Sequence, residues 1–391
     1  MSARRVYLDH NATTPLHPDV IDVMAEAMPV FGNPSSLHGF GREARDMVET
    51  ARNRCAILIN APVEDVVFVG SGSEANNTVL NLFPCQAHRC TGNCPGRNRV
   101  ITTRIEHPCI LETAHCLAKR GQEVCYVDVD PQGRVCLDHL RALLDERTAL
   151  VSIMAANNEI GTLQDLPAII ALVHAVGAYF HSDAVQAVGK IPVDVAALGV
   201  DFLSFSAHKA YGPKGIGGLY VRKGVHFCPF ILGGHQERGR RAGTENTLGI
   251  IGMGQALDCR RQEMAAEAER LDALRAHLRD SVLARIPDVT VNGDQVHCLP
   301  GTLNITCAGC EGEALLLYLD LDGIAVSTGS ACSSGSLDPS HVLLACGLEP
   351  EQAHGSLRIS MGRDTTREEI DYLIERLVVS VDKVRSMSTI Y

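Results

Sequence analysis

Short apolar runs recur along the first half of the chain, at 66–69, 100–103, 124–127, 149–154, 178–181, 202–205 and 218–221, with amphipathic stretches between them. Runs of this length without polar alternation predict strands buried on both faces of one sheet. Helix-period patterns between several of them, such as 107–120 and 166–176, supply the crossovers that parallel neighbours need. The expected architecture is therefore an α/β domain with a mostly parallel sheet. The segment 248–285 holds no proline and is rich in Ala, Leu, Glu and Arg, which predicts one long or slightly broken helix leading out of that domain. Beyond Pro287 the pattern becomes strands at 289–292 and 302–307, a helix at 311–321, a strand near Val326, a helix at 339–346, a strand at 357–361 and a final helix from Thr366. A smaller α+β domain fits, so the expected division is a large domain at 16–262 and a small one made of 1–15 and 263–391.

A chain of 391 residues that is 46% apolar can bury both cores. The formal net charge of -11 repels a phosphate backbone, and the basic run Arg238, Arg240, Arg241 is too short to outweigh it, so nucleic acid is not an expected partner. The longest apolar stretches, such as 167–176, are too short and interrupted to span a bilayer, and Met1-Ser2-Ala3-Arg4-Arg5 has no apolar region behind it. No membrane partner is expected and the location is read as cytoplasmic. An odd count of 15 cysteines in a long chain without a secretion signal argues for reduced thiols over a disulfide framework. Cys125 and Cys346, in apolar surroundings, are read as small buried hydrophobes.

Several segments carry candidate chemistry. Ser204-Phe205-Ser206-Ala207-His208-Lys209-Ala210-Tyr211-Gly212-Pro213 places Lys209 just past an apolar strand, where an amine can lose its proton and form a Schiff base with an aldehyde cofactor. Taken alone, Lys209 is read first as a solvated charge, as most lysines near a strand end are. After the run 66–69, Gly70-Ser71-Gly72-Ser73-Glu74-Ala75-Asn76-Asn77 opens a helix whose unpaired amides and dipole favour a phosphate, although the same residues would make an ordinary Ser N-cap without any ligand. Asp183, at the end of the run 178–181, can hold a protonated heterocyclic nitrogen or simply cap a helix. Together and in this order, the three features supply what pyridoxal 5'-phosphate needs: an anchored phosphate, a protonated ring nitrogen and an imine-forming amine. His107 follows another strand and could stack on such a ring and move protons. In Ser327-Thr328-Gly329-Ser330-Ala331-Cys332-Ser333-Ser334-Gly335-Ser336, eight of ten residues are Ser, Thr or Gly, so Cys332 is expected on an exposed, mobile loop. Arg358, on the strand near 357–361, offers a fork for a substrate carboxylate or an ordinary salt bridge.

With these residues in place, the chain resembles the cysteine desulfurases of the nitrogen-fixation and iron–sulfur-cluster-assembly group, in the class V branch of fold-type I pyridoxal phosphate enzymes. The likeness runs from Tyr7-Leu8-Asp9-His10-Asn11-Ala12-Thr13-Thr14-Pro15 through Phe31-Gly32-Asn33-Pro34-Ser35-Ser36, Asn157-Asn158-Glu159-Ile160-Gly161 and Ser206-Ala207-His208-Lys209 to Arg241-Ala242-Gly243-Thr244-Glu245-Asn246 and Ser330-Ala331-Cys332. It implies a fold-type I α/β enzyme that binds pyridoxal 5'-phosphate and acts on L-cysteine. Lys209 would be the Schiff-base lysine, Asp183 the partner of the pyridinium nitrogen, Gln186 a donor to the phenolic oxygen, and His107 the stacking and proton-transfer residue. Gly72, Ser73, Ser206 and His208 would hold the phosphate, with Thr244 reaching it from the other subunit of a homodimer. Asn11, Asn158 and Arg358 would bind the substrate. Cys332 would take the sulfur as a persulfide, leaving L-alanine, and pass it to an iron–sulfur scaffold or another sulfur-acceptor protein; it could also ligate a nascent cluster transiently.

Some features depart from the family pattern. Ser73 stands where many relatives carry threonine, and Ile390-Tyr391 follows the final helix closely, without the longer tail that docks a scaffold in housekeeping relatives. The insert holding Cys85, His88, Cys90 and Cys94 is foreign to the pattern; it could bind zinc or an iron–sulfur cluster, or be a variable thiol loop. The competing functions are another pyridoxal phosphate reaction, such as transamination or selenocysteine cleavage, and a non-catalytic sulfur-assembly platform. A transaminase has no use for Cys332, and a platform has no use for an intact Lys209, Asp183 and His107.

Overall fold

The structure, a computed structural model, describes residues 5–81, 97–225, 228–328 and 338–387. In chain order the strands are β1 (Val6–Tyr7), β2 (Val66–Val69), β3 (Arg99–Thr103), β4 (Glu123–Val127), β5 (Thr148–Ser152), β6 (Tyr179–Asp183), β7 (Phe202–Ser206), β8 (Gly217–Val221), β9 (Val289–Asn292), β10 (Thr302–Cys307), β11 (Ile324–Ala325) and β12 (Ser356–Ser360). The helices are α1 (Pro18–Ala27), α2 (Gly39–Leu58), α3 (Gly72–Leu80), α4 (Pro108–Lys119), α5 (Leu137–Leu143), α6 (Leu166–Ala175), α7 (Val195–Leu198), α8 (Thr247–Arg285), α9 (Gly312–Leu321), α10 (His341–Ala345), α11 (Pro350–His354) and α12 (Arg367–Met387).

The apolar runs of the first half form a seven-stranded sheet in the order β2-β8-β7-β6-β5-β3-β4. Pairings from β4 through β7 are parallel, and β8 is antiparallel to both neighbours. Of the run expected at 149–154, β5 ends at Ser152; Ile153 and Ala155 still donate to His181 O and Asp183 O of β6, while the Met154 amide, facing the other way, is taken by the Glu106 carboxylate. Cys346 is buried as expected, whereas Cys125 is only half-buried, since it lies on the edge strand β4. The sequence pattern did not announce α1 and α2, whose N-termini are capped by His17 and His38, residues outside the preferred capping set.

A second apolar cluster gathers Val6 and Leu8 with residues from α8, β10, α9, β12 and α12. It packs beside the three-stranded sheet β12-β10-β9, and β1 pairs with β11. The 39-residue helix α8 serves both clusters: its first part buries Ile250, Met253 and Leu257 under the large sheet, and its second part buries Leu271, Leu274 and Leu278 in the other core. The α2–α8 contact is backbone-close, since a Cβ at Gly254 would lie 2.6 Å from Ala51 Cα. Backbone bonds then tie the N-terminal segment to both units: His10 donates to Ser360 O, Thr14 to His208 O and His17 to Tyr211 O.

Beneath the sheet, Arg52 of α2 makes a two-pronged ion pair with Glu237, at 2.6 and 2.8 Å, and Glu237 also accepts the Phe68 amide at 2.8 Å. Both side chains are almost fully buried. Glu237→Gln leaves the buried guanidinium with only the more exposed Glu49 as counter-charge, so a loss of about 3 kcal/mol is expected, read as a lower urea midpoint. An unchanged midpoint would mean that the pair carries no net stability.

Candidate active site

Parallel pairing brings the C-terminal ends of β3, β5, β6 and β7 to one edge of the sheet, and the chain continues there into His107, Asn158, Asp183 and Lys209. A cleft of about 990 Å³, open to solvent, is lined there by Asn11, Gly72, Ser73, His107, Asn158, Asp183, Gln186, Ser206, His208, Lys209 and Arg358. Eleven of the sequence-predicted residues thus meet in one cavity. Thr244 does not; it is exposed and lines a separate cleft of about 480 Å³ with Glu237 and Arg241. Cys332, Cys85, Cys90 and Cys94 lie outside the described residues.

Asp183 ends β6 with its carboxylate buried. One oxygen accepts the Val185 amide at 2.9 Å and the other the Asn76 side-chain amide at 2.6 Å. No helix follows it, so the carboxylate closes a turn and faces the cleft. Lys209 closes a short 3-10 turn after β7, and its ammonium donates to the carbonyls of Asn11 and Ala12 at 2.6 and 2.7 Å. The turn is held by Tyr211, which adopts φ 61°, a costly conformation for a bulky residue, while its hydroxyl donates to Glu267 and accepts the Arg363 amide.

The α3 N-cap is Ser71, whose hydroxyl accepts the Glu74 amide at 3.1 Å. The capping role is therefore met without Ser73, which is left in the first turn facing the cleft. Gly72 is required by packing: a Cβ there would lie 2.6 Å from a Val185 methyl. With Ser206, His208 and the cations Lys209 and Arg358 around it, this helix end suits a phosphate. A phosphate at α3, a ring nitrogen at Asp183 and a carbonyl carbon at Lys209 are the three anchor points of pyridoxal 5'-phosphate, and the donor set fits that cofactor.

His107 caps α4, its Nδ1 accepting the Cys109 amide at 3.2 Å and lying 3.0 Å from Cys109 Sγ. With Nδ1 used as an acceptor, the neutral ring carries its proton on Nε2. Burial pulls the His107 pKa down; Lys209 and His341 add to this and Asp183 opposes it. Burial also holds His208 down at about 4, with Lys209, Lys214 and Lys190 adding to it. Arg358 Nη2 donates to Asp9 Oδ1 at 2.8 Å and Nη1 to Asn158 O at 3.1 Å, so the salt-bridge reading and a place in the cleft hold together.

The structure adds residues that the sequence did not single out. Asn76 orients Asp183, and it sits one turn beyond Ser73 on the quoted helix start, a spacing that placed it on the same face. Cys109 lines the cleft, its thiol pushed up to about 12 by burial and then by Asp183. Lys190 donates to Asn11 Oδ1 at 2.8 Å and Gln186 Oε1 at 2.5 Å. An ammonium only donates, so both amide oxygens turn toward it and both amide NH2 groups turn away: Gln186 donates to Asn11 O, and Asn11 to Asn158 O and Thr302.

The Aminotransferase class-V family profile matches residues 6–373. A Dictyoglomus turgidum protein named cysteine desulfurase IscS is 47% identical over 386 residues, which is 98% of this chain and 96% of that protein. A Nostoc protein named cysteine desulfurase is 45% identical over 384 residues, 98% of this chain and 94% of its own length. Among solved structures, a NifS-like protein from Rickettsia africae superposes with a TM-score of 0.87 at 34% identity, over 97% of this chain and 100% of its own.

Glu106, fully buried beside His107, accepts the Met154 amide at 3.0 Å and the Thr103 hydroxyl at 2.9 Å. Burial lifts its pKa from 4.5 to about 8, with Asp183 pushing the same way and those two hydrogen bonds opposing. Between these values the native protein keeps a proton that the unfolded chain has lost, so this contribution to stability is complete below 4.5 and fades as pH rises to about 8. Glu106→Gln should therefore lose less urea stability than the wild type between about pH 5 and about pH 8. Equal losses in the two proteins would place the Glu106 pKa near its ordinary value.

Proposed function

This chain belongs to the class-V aminotransferase family and is a pyridoxal 5'-phosphate-dependent cysteine desulfurase, and on that premise we propose the roles of its site residues. The observation that carries them is the convergence of Lys209, Asp183, His107 and the α3 N-terminus on one cleft. Bound pyridoxal 5'-phosphate supplies an aldehyde to hold the substrate amine and a ring that takes up the electrons left on Cα when its proton departs.

Gly72, Ser73, Ser206 and His208 hold the phosphate, Asp183 keeps the ring nitrogen protonated, and the Gln186 amide, its oxygen held by Lys190, offers N–H to the phenolic oxygen. Lys209 Nζ, released from the Asn11 and Ala12 carbonyls, would be the amine that holds the cofactor's aldehyde carbon and the base that takes the α-proton of L-cysteine. His107 Nε2 exchanges a proton at the other side of the site. Arg358 and Asn158 receive the substrate carboxylate, Arg358 giving up part of its contact with Asp9, and Asn11 lines the substrate pocket beside them. The Cys332 thiolate attacks the substrate sulfur: an S–S bond forms, the C–S bond breaks, and protonation of the carbon fragment yields L-alanine beside a Cys332 persulfide. Cys332 lies five residues beyond Ser327, whose backbone pairs with that of Arg358. Five residues span at most about 17 Å, which supports its reaching the cleft.

The finer readings have their own support. A homodimer in which Thr244 completes the partner's phosphate site accounts for a family-pattern residue outside the cleft, and the exposed Met28, Phe31, Leu37 and Phe40 offer an apolar surface for it. The grouping of Val6 and Leu8 with residues beyond Leu271 supports a large domain at 16–262 and a small one of 1–15 and 263–391. Sulfur then passes to an iron–sulfur scaffold or another acceptor protein. Among the described residues no helix is long and apolar enough to cross a membrane, and we place the enzyme in the cytoplasm.

The test is to supply L-cysteine and a reducing thiol and quantify L-alanine and sulfide. The wild type should release both in matched amounts, and Lys209→Ala and Cys332→Ser should each lose at least about 10³-fold in rate. Near-wild-type turnover in either variant would remove the role assigned to that residue.

A further inference from the structure

Away from the cleft, the start of α1 meets the middle of α8. His17 precedes α1, Asp19 lies in its first turn, and Cys259 projects from α8. Cys259 Sγ lies 3.8 Å from His17 Nδ1 and 3.8 Å from Asp19 Oδ2, and His17 Nδ1 lies 3.8 Å from Asp19 Oδ1. We propose that His17, Asp19 and Cys259 form a binding site for a thiophilic divalent cation of the Zn2+ type, a site separate from the desulfurase chemistry.

Nitrogen, carboxylate oxygen and sulfur are the donor types Zn2+ takes, with bonds of about 2.0–2.3 Å. Tetrahedral bonds of those lengths place the donors about 3.3–3.6 Å apart. Each of these contacts is a few tenths of an ångström too long, and because Asp19 faces Cys259 with Oδ2 and His17 with Oδ1, its exposed carboxylate must turn to bring one oxygen to both. It is the one group of its kind among the described residues, with all the donor atoms within 4.8 Å of one another.

The surroundings of the ligands point the same way. His17 Nε2 faces Glu263 Oε1 at 3.2 Å, and Arg260 holds the other oxygen of Glu263 at 3.2 Å. A metal-bound histidine characteristically gives its second ring N–H to a carboxylate, which fixes the ring and strengthens the ligand. Gln255 donates to Cys259 Sγ at 3.4 Å, a contact that favours a thiolate. His17 and Cys259 are each 5% exposed while Asp19 is open, so an ion can enter from the Asp19 side and keep a fourth position for water.

Binding has two consequences. The His17 Nδ1 lone pair now accepts the Asp19 amide at 3.1 Å, and the ion would displace that cap while the Asp19 carboxylate offsets the charge brought to the helix start. A thiol binds a metal as its thiolate, so Cys259 gives up its proton as the ion binds. The ion would also clamp to α8 the segment whose Thr14 and His17 amides bond the turn around Lys209.

The test uses the full-length, cofactor-loaded protein stripped with a chelator, with Zn2+ and Co2+ as probes, comparing the wild type with Cys259→Ser and His17→Asn. Asparagine keeps a capping side chain at position 17, and the cofactor absorption reports that each variant is folded. The wild type should bind one equivalent of Zn2+ more than either variant. Its Co2+ difference spectrum should carry a thiolate charge-transfer band and four-coordinate visible bands that both variants lose. Asp19→Asn should weaken binding about tenfold or more. Because the variants are compared with the wild type, metal held by the other cysteines cancels. Equal stoichiometry and affinity in all proteins, or a Co2+ spectrum unchanged by Cys259→Ser, would overturn the site.

Discussion

Parallel pairing of β3, β5, β6 and β7 is the constraint on which the rest depends. Parallel strands all end at one edge, and each end is free to carry a polar group that the buried strand itself could not accommodate. His107, Asn158, Asp183 and Lys209 therefore converge although more than a hundred residues separate the first from the last. The antiparallel strand β8 returns beside β7 and packs over the start of α3: a Cβ at Gly217 would lie 2.7 Å from the Ser71 carbonyl carbon. Only a glycine lets the start of α3 sit that close.

The second requirement is to keep like charges together without water. Lys190, Lys209 and Arg358 stand near one another, and burial, followed by Lys209 and Arg358, pulls the Lys190 pKa down. The N-terminal segment relieves this with neutral oxygens: the Asn11 and Ala12 carbonyls take Lys209, Asn11 Oδ1 takes Lys190, and Asp9 pairs with Arg358. Asp9 and Glu267 offset part of this charge and neutral oxygens accept the remaining N–H groups, which leaves the cleft attractive to anions. The same segment leads directly to His17, so the proposed cation site and the cleft share one stretch of chain whose position each would steady.

The thiols divide by surroundings. Cys55, Cys307 and Cys346 are buried and their pKa values are raised to about 12 by burial, which leaves them inert as nucleophiles. Cys109 is raised equally, yet it lines the cleft, its thiol 3.0 Å from the His107 Nδ1 that accepts the Cys109 backbone amide. Cys259 differs because a histidine and a carboxylate stand beside it.

The large sheet was legible because all its strands but the half-buried edge β4 are buried on both faces, which calls for short, nearly continuous apolar runs such as 202–205. The glycine-rich start of α3 and the strand-end residues Asp183 and Lys209 were legible for a similar reason: local backbone chemistry and order along the chain suffice to suggest a phosphate, a ring nitrogen and an imine. What the chain order could not reveal are contacts made between distant segments. Asn76 gains its role only when α3 packs beside β6, Lys190 only when Asn11 and Gln186 meet above it, and Thr244 is separated from the cleft by the path of the chain between β8 and α8. The triangle of His17, Asp19 and Cys259 likewise has no sequence spacing, because helix packing across 240 residues creates it. Local periodicity and residue type therefore determined most of the elements, α1 and α2 excepted, and suggested the cofactor chemistry, whereas partner choice for polar and metal-ligating side chains was decided by tertiary packing, since those interactions act over a few ångströms of space irrespective of distance along the chain.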